Sequence, residues 1–164
     1  MDFTQWLTEN PAGELFYTFL IAMLPVVELR GAIPVGVGML GRSALPSVYL
    51  AAVLGNMLPV PFIIVYIRRI FLWLRRRFPK LNRLVDKLER KAHLKGRKVS
   101  KYKYLGLFVF VAIPLPGTGA WTGALAAAFL DMPLRRALPS IFLGVVTAGL
   151  IMTLATGMVV ATIH

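Results

Sequence analysis

Three stretches of this chain carry no charged residue over a length that can cross a bilayer: residues 43–67 (25 residues), 104–130 (27) and 137–163 (27). A membrane helix needs roughly 20 mostly apolar residues, so each stretch is a candidate span. A fourth apolar region, 15–41, is long enough, but Glu28 and Arg30 stand at its centre with Pro25 before them and Pro34 after. It is not an ordinary single span. Composition agrees with a membrane protein: 57% of residues are hydrophobic and 16% charged, with a mean hydropathy of +0.70, well beyond a soluble domain. The expected fold class is an all-α integral membrane protein.

Charge is confined to one place. Of the 19 Lys and Arg residues, 15 fall between Arg68 and Lys103, opposed there only by Asp86 and Glu89. A basic block between uncharged stretches of spanning length follows the positive-inside rule and does not suggest a nucleic-acid-binding module. This places 68–103 in the cytoplasm and the protein, multi-pass, in the cell's inner (plasma) membrane. The first 14 residues carry Asp2, Glu9 and Glu14 but no Lys or Arg, unlike the basic start of a cleaved signal peptide.

The chain has no cysteine, and its histidines are His93 and His164, too few for a zinc centre. Ser43, Ser47, Ser100 and Ser140 have no histidine at a suitable depth, and Gly117-x-Gly119 is too short for a phosphate loop. Neither an enzyme nor a cofactor or metal is expected.

The two halves repeat. Residues 42–53 (RSALPSVYLAAV) align over 135–146 (RRALPSIFLGVV) with seven of twelve positions identical. Pro46 and Pro139 sit where an early helical turn tolerates a missing N–H, so helices are expected from about residues 43 and 136. A proline-broken apolar region precedes each of them. Pro114, Pro116, Gly117 and Gly119 interrupt the second, and irregular backbone in lipid has to be buried in protein or line a cavity.

Regions 15–41 and 104–130 therefore read as re-entrant helical hairpins, each followed by a transmembrane helix (43–67 and 136–163). A hairpin plus one span is an odd number of crossings. The second repeat (104–164) is then inverted relative to the first (1–67), as in many secondary transporters. Arg135 and Arg136 come out on the cytoplasmic side with Arg68 and Arg69, as the charge rule prefers. In the connector 68–103, Leu81, Leu84, Val85, Leu88 and Ala92 fall at helical spacing among Arg83, Lys87, Arg90 and Lys91. Residues 80–95 are expected to form a basic amphipathic helix on an anionic leaflet, whose lipids are the expected partners. Shielding the broken backbones suggests a homo-oligomer, a dimer.

Ionisable residues inside a membrane are expensive and mark functional sites. Arg30 has the planar donor fork that suits phosphate or carboxylate. Glu28 can change its charge by taking up a proton, which makes it the candidate proton-coupling residue. Gly31 and Pro34 mark a hairpin tip where both side chains can turn toward one cavity. Opposite them, Gly117, Thr118 and Gly119 and the half-helix beginning near Trp121 offer freed N–H groups to an anion. The candidate substrate-binding set is Glu28, Arg30, Gly31, Pro34, Pro114, Pro116, Gly117, Thr118, Gly119 and Trp121. Asn56 reads as a hydrogen bond between helices, and Asp131 with Arg135 and Arg136 as a solvated turn.

Residues 25–34 (PVVELRGAIP) and 114–121 (PLPGTGAW) together resemble the small multidrug export protein family, a branch of the DedA (SNARE-associated, VTT-domain) superfamily. The resemblance covers nearly the whole chain. It implies two facing re-entrant hairpins and, for DedA-like relatives, translocation of lipids including the polyprenyl phosphate carrier (undecaprenyl phosphate in bacteria). The family label itself implies drug export.

The leading expectation is a transporter or flippase/scramblase-like protein for an anionic amphiphile, a polyprenyl phosphate or other phospholipid, with its headgroup at Arg30. One alternative is export of hydrophobic cations bound and exchanged at Glu28. Another is a structural membrane module that organises anionic lipid.

Overall fold

The computed structural model describes residues 6–7, 10–77, 102–115 and 117–163. Among them the chain is helical, with no strand. Helix α1 (Pro11–Ala22) starts where the Asn10 side chain accepts from the Ala12 N–H at 3.0 Å, with Pro11 in the first turn. Both features are strong helix starts. Residues 23–27 turn the chain into α2 (Glu28–Leu40), which ends at Gly41 with φ of 80°, a left-handed conformation suited to glycine. A 3₁₀ turn (Arg42–Ala44) leads into α3 (Leu45–Met57) and α4 (Pro59–Arg77) follows. After the connector come α5 (Tyr102–Ala112), α6 (Ala120–Phe129) and α7 (Leu134–Ile163).

Two helical stretches are long and apolar enough to cross a membrane, Arg42–Ile70 and Leu134–Thr162, each of 29 residues. Only 33% and 28% of their most apolar windows is buried inside the protein. Leu54, Phe62, Leu143 and Leu154 are among the large side chains that α3, α4 and α7 turn outward. An apolar surface of this extent needs lipid around it. The remaining apolar helices are shorter: α1 has 12 residues and α2 has 13. At about 1.5 Å per residue each covers roughly 20 Å, against a hydrocarbon core of about 30 Å.

The first span expected over 43–67 is present within the helical stretch Arg42–Ile70, with one interruption of its hydrogen bonding. It breaks at Leu58, because Pro59 and Pro61 have no N–H to return to the carbonyls of Gly55 and Met57. The break divides its partners: α3 packs on α1, α2 and α7, whereas α4 packs mainly on α6. Helix α4 also runs ten residues beyond the expected end at 67. The amphipathic helix expected over 80–95 lies outside the described residues. Helix α7 begins at Leu134, two residues before the expected start, which puts Pro139 inside it; Pro46 occupies the first turn of α3. The repeated ALPS motif thus takes two local structures.

Close helix contacts rest on small residues. The core runs through Ala22, Ala32, Ala52, Ala120, Ala124, Ala127, Ala137 and Ala148, with Leu29, Ile33, Ile64 and Ile141 filling between them. A side chain at Gly36 would meet Thr18 and Val48, and one at Gly144 would meet Val111.

One end of the molecule is marked by polar contacts. Arg68 donates from Nε to Asp131 Oδ1 at 2.8 Å and pairs with the same carboxylate through Nη2. Arg136 lies 6.0 Å from the centre of the Tyr104 ring. The start of α5, the turn after α6, the start of α7 and the middle of α4 therefore lie together. The Asp131 turn is well exposed, as expected, but its partner is Arg68 and no contact with Arg135 or Arg136 joins it.

Candidate functional site

Two breaks in the backbone meet: the turn 23–27 with the start of α2, and residues 113–119 between α5 and α6. Glu28, the first residue of α2, has φ of 49°, a left-handed conformation that costs a non-glycine residue about 1–2 kcal/mol. The Glu28 and Arg30 side chains go to opposite ends of the second break.

Glu28 is 5% exposed. Its Oε1 accepts from the backbone N–H of Trp121 at 3.1 Å, in the first turn of α6. The carboxylate thereby caps a helix to which it does not belong, meeting both unpaired N–H groups and the positive end of the helix dipole. Gly119 makes this approach possible. Its φ is 153°, and a Cβ there would overlap the Glu28 carboxylate. The Trp121 indole completes the contact from the other side, donating from Nε1 to the Met23 carbonyl at 3.0 Å.

Arg30 does the reverse job at the end of α5. One Nη donates to the Leu115 carbonyl, and the other to Thr118 Oγ1 at 2.9 Å and the Ile113 carbonyl at 3.4 Å. Thr118 Oγ1 in turn lies 2.7 Å from the Ile113 carbonyl and 2.9 Å from that of Leu115. Carbonyls left over where a helix ends are the natural partners of a cation. The first hairpin's acid thus caps the N-terminus of α6, and its base caps the broken C-terminus of α5. Among the described residues the ion pair is Arg68 with Asp131; Glu28 and Arg30 do not pair with each other.

Between these contacts Glu28, Arg30, Asn56, Gly119, Val145 and Ala148, among others, line a narrow crevice with no room for a water molecule. Its place along the long helices is central. Asn56 is the midpoint of the 29-residue stretch Arg42–Ile70, and Val145 and Ala148 lie about the middle of the 30-residue α7. The cleft sits half-way along both.

Of the residues expected at the site, Glu28, Arg30, Thr118, Gly119 and Trp121 come together. Gly31 lies on the first turn of α2, where a Cβ would strike Val27, and does not reach the second break. Pro34 is exposed inside α2, Gly117 is exposed with open space around it, and Pro114 makes no polar contact there. Pro116 lies outside the described residues. Unforeseen were the carbonyls of Met23, Ile113 and Leu115, since backbone acceptors have no residue-type signature. Asn56 was expected to bond across helices. It is fully buried, and neither Nδ2 nor Oδ1 has a partner.

The family model described as "Putative small multi-drug export protein" matches residues 28–151, beginning on Glu28 itself and covering the second break. The chain belongs to this family. Its description agrees with the drug-export alternative set out above and points to transport rather than catalysis; it makes no reference to lipid. No curated protein and no solved structure matches the chain significantly.

Proposed function

We propose that this protein is a proton-coupled exporter of small lipophilic cations, with Glu28 as the residue that exchanges a proton for substrate. The observation that carries this reading is that the buried Glu28 carboxylate and the half-buried Arg30 guanidinium hold different partners. Removing one partner of a buried ion pair strands the other, at a cost of about 3–5 kcal/mol. Here Arg30 holds the Ile113 and Leu115 carbonyls and Thr118, so it keeps its partners whatever the charge on Glu28. The carboxylate can then take a proton, or give it up to a cation, without dismantling the Arg30 clamp.

In this reading segments 11–40 and 102–130 are re-entrant hairpins of an inverted repeat, meeting at the bilayer midplane. The short lengths of α1 and α2, the clustering of Tyr104, Asp131 and Arg136 at one end, and the mid-helix position of the cleft support it. The basic connector 68–103 lies on the cytoplasmic face of the inner membrane against anionic lipid, and a second copy shields the exposed turn around Val26.

A second reading, transport of an anionic amphiphile such as a polyprenyl phosphate, is favoured by one feature. If Glu28 takes a proton and swings away, the N-terminus of α6 is left as an anion site beside Arg30. This is the reading that DedA kinship would carry.

The two separate in liposomes holding the purified protein, a lipophilic fluorescent cation and a labelled phosphate lipid, under an imposed pH gradient. Cation movement coupled to proton counterflow, abolished by Glu28→Gln with lipid movement unchanged, is the expected result. Cation movement that survives Glu28→Gln refutes the exporter reading. Lipid movement lost on Arg30→Ala, with no cation movement in the unaltered protein, would establish the second reading instead.

A further inference from the structure

We propose that Asn56 is a substrate-binding residue of the cleft that accepts an N–H of the transported cation, so that the site prefers protonated amines to quaternary ammonium ions of the same shape. The inference rests on the exporter reading above and adds the chemical class of cation.

Asn56 is 0% exposed, and its amide oxygen and nitrogen both lack a partner among the described residues. Ala52, Val53 and Val145 lie among the buried apolar residues around it. Native interiors rarely leave a polar group unpaired, and each exception needs a reason. A leucine of similar size would fill the position without that cost. The amide lines the same crevice as Glu28 and Arg30, so a ligand that opens this crevice would meet an unspent donor and an unspent acceptor.

The Glu28 carboxylate lines the same crevice as Asn56. A carboxylate and an amide oxygen on one crevice suit a cation, and acceptors that are directional suit one that carries N–H. A trimethylammonium group has none to give and gains only from the charge of Glu28. Asn56 Nδ2 and the Arg30 Nε–H, which also lacks a partner, remain as donors for an oxygen on the same molecule.

The test uses the full chain in liposomes with a lipophilic primary amine and its trimethylammonium counterpart, comparing the unaltered protein with Asn56→Leu. Losing one such hydrogen bond predicts a fall of about tenfold in the amine-to-quaternary transport ratio. Asn56→Leu should also raise the melting temperature in detergent, because it removes an unpaired buried amide. A purely structural asparagine would lower it. Both cations moved by the unaltered protein, with the ratio unchanged in Asn56→Leu, overturns the role of Asn56 and leaves the exporter reading standing. Neither cation moved by the unaltered protein overturns both.

Discussion

Gly119→Ala should sever the Glu28 cap from α6 without altering any charge. An added Cβ would occupy the space of the Glu28 carboxylate, at a φ of 153° that side chains other than glycine's rarely adopt. The backbone contribution is about 1–2 kcal/mol. Forcing the carboxylate off the Trp121 N–H leaves a buried charged acceptor unmet, for about 1–3 kcal/mol more. The sum, roughly 2–5 kcal/mol, corresponds to a fall in melting temperature on the order of 5–15 °C for a chain of this size.

Gly117→Ala is the control. Gly117 has φ of +83° but nothing within 4 Å of a Cβ, so it carries only the backbone contribution, near 1 kcal/mol. Thermal unfolding of both variants in detergent, beside the cation-transport assay, isolates the carboxylate overlap as the difference. If the two alanines lower the melting temperature equally and Gly119→Ala still transports, the cap is not what holds the two breaks together.

Thr118→Val keeps the shape of the side chain but removes the hydroxyl shared by Arg30 and the Ile113 and Leu115 carbonyls. A loss of about 1–2 kcal/mol follows for a charged hydrogen bond of this kind, read by thermal unfolding against Thr122→Val as a reference. Because the chain lacks cysteine, single cysteines at the exposed residues Val26 and Leu150 can measure depth. Both should resist a membrane-impermeant thiol reagent, whereas a cysteine at Arg42 should react from the outer face and one at Asp131 from the cytoplasmic face.

Much of the site was legible because membranes make polar residues conspicuous. Glu28 and Arg30 stand out in an apolar region, and Pro114 with Gly117 and Gly119 announce a break that has to be protected. That the two features belong together follows from the same cost, since an isolated charge and an unpaired backbone are each intolerable in lipid. What sequence could not convey was the pairing itself. Glu28 and Arg30 were expected to turn together into one cavity from a tip at Gly31 and Pro34; those two residues lie within α2 instead, and sequence did not show that one side chain would seek helix N–H groups and the other carbonyls. Pro59 and Pro61 were visible in an uncharged run, but charge counting alone did not show that helical hydrogen bonding is interrupted beside them. Pro139 misled in the other direction: the motif it shares with Pro46 holds in sequence, while α7 simply begins earlier. Asn56 looked like ordinary glue between helices because unmet hydrogen bonds leave no trace in a sequence.

Capping across the two breaks also orders events during synthesis. When the first hairpin leaves the ribosome, its acid and its guanidinium have neither the helix end nor the carbonyls that later receive them, because residues 113–121 have not yet been made. Until then the amino-terminal third holds two unanswered charges and is poorly suited to settle in oil. Full insertion waits for the carboxy-terminal half, and a chain cut in the connector should yield two fragments that enter the bilayer stably only in each other's company.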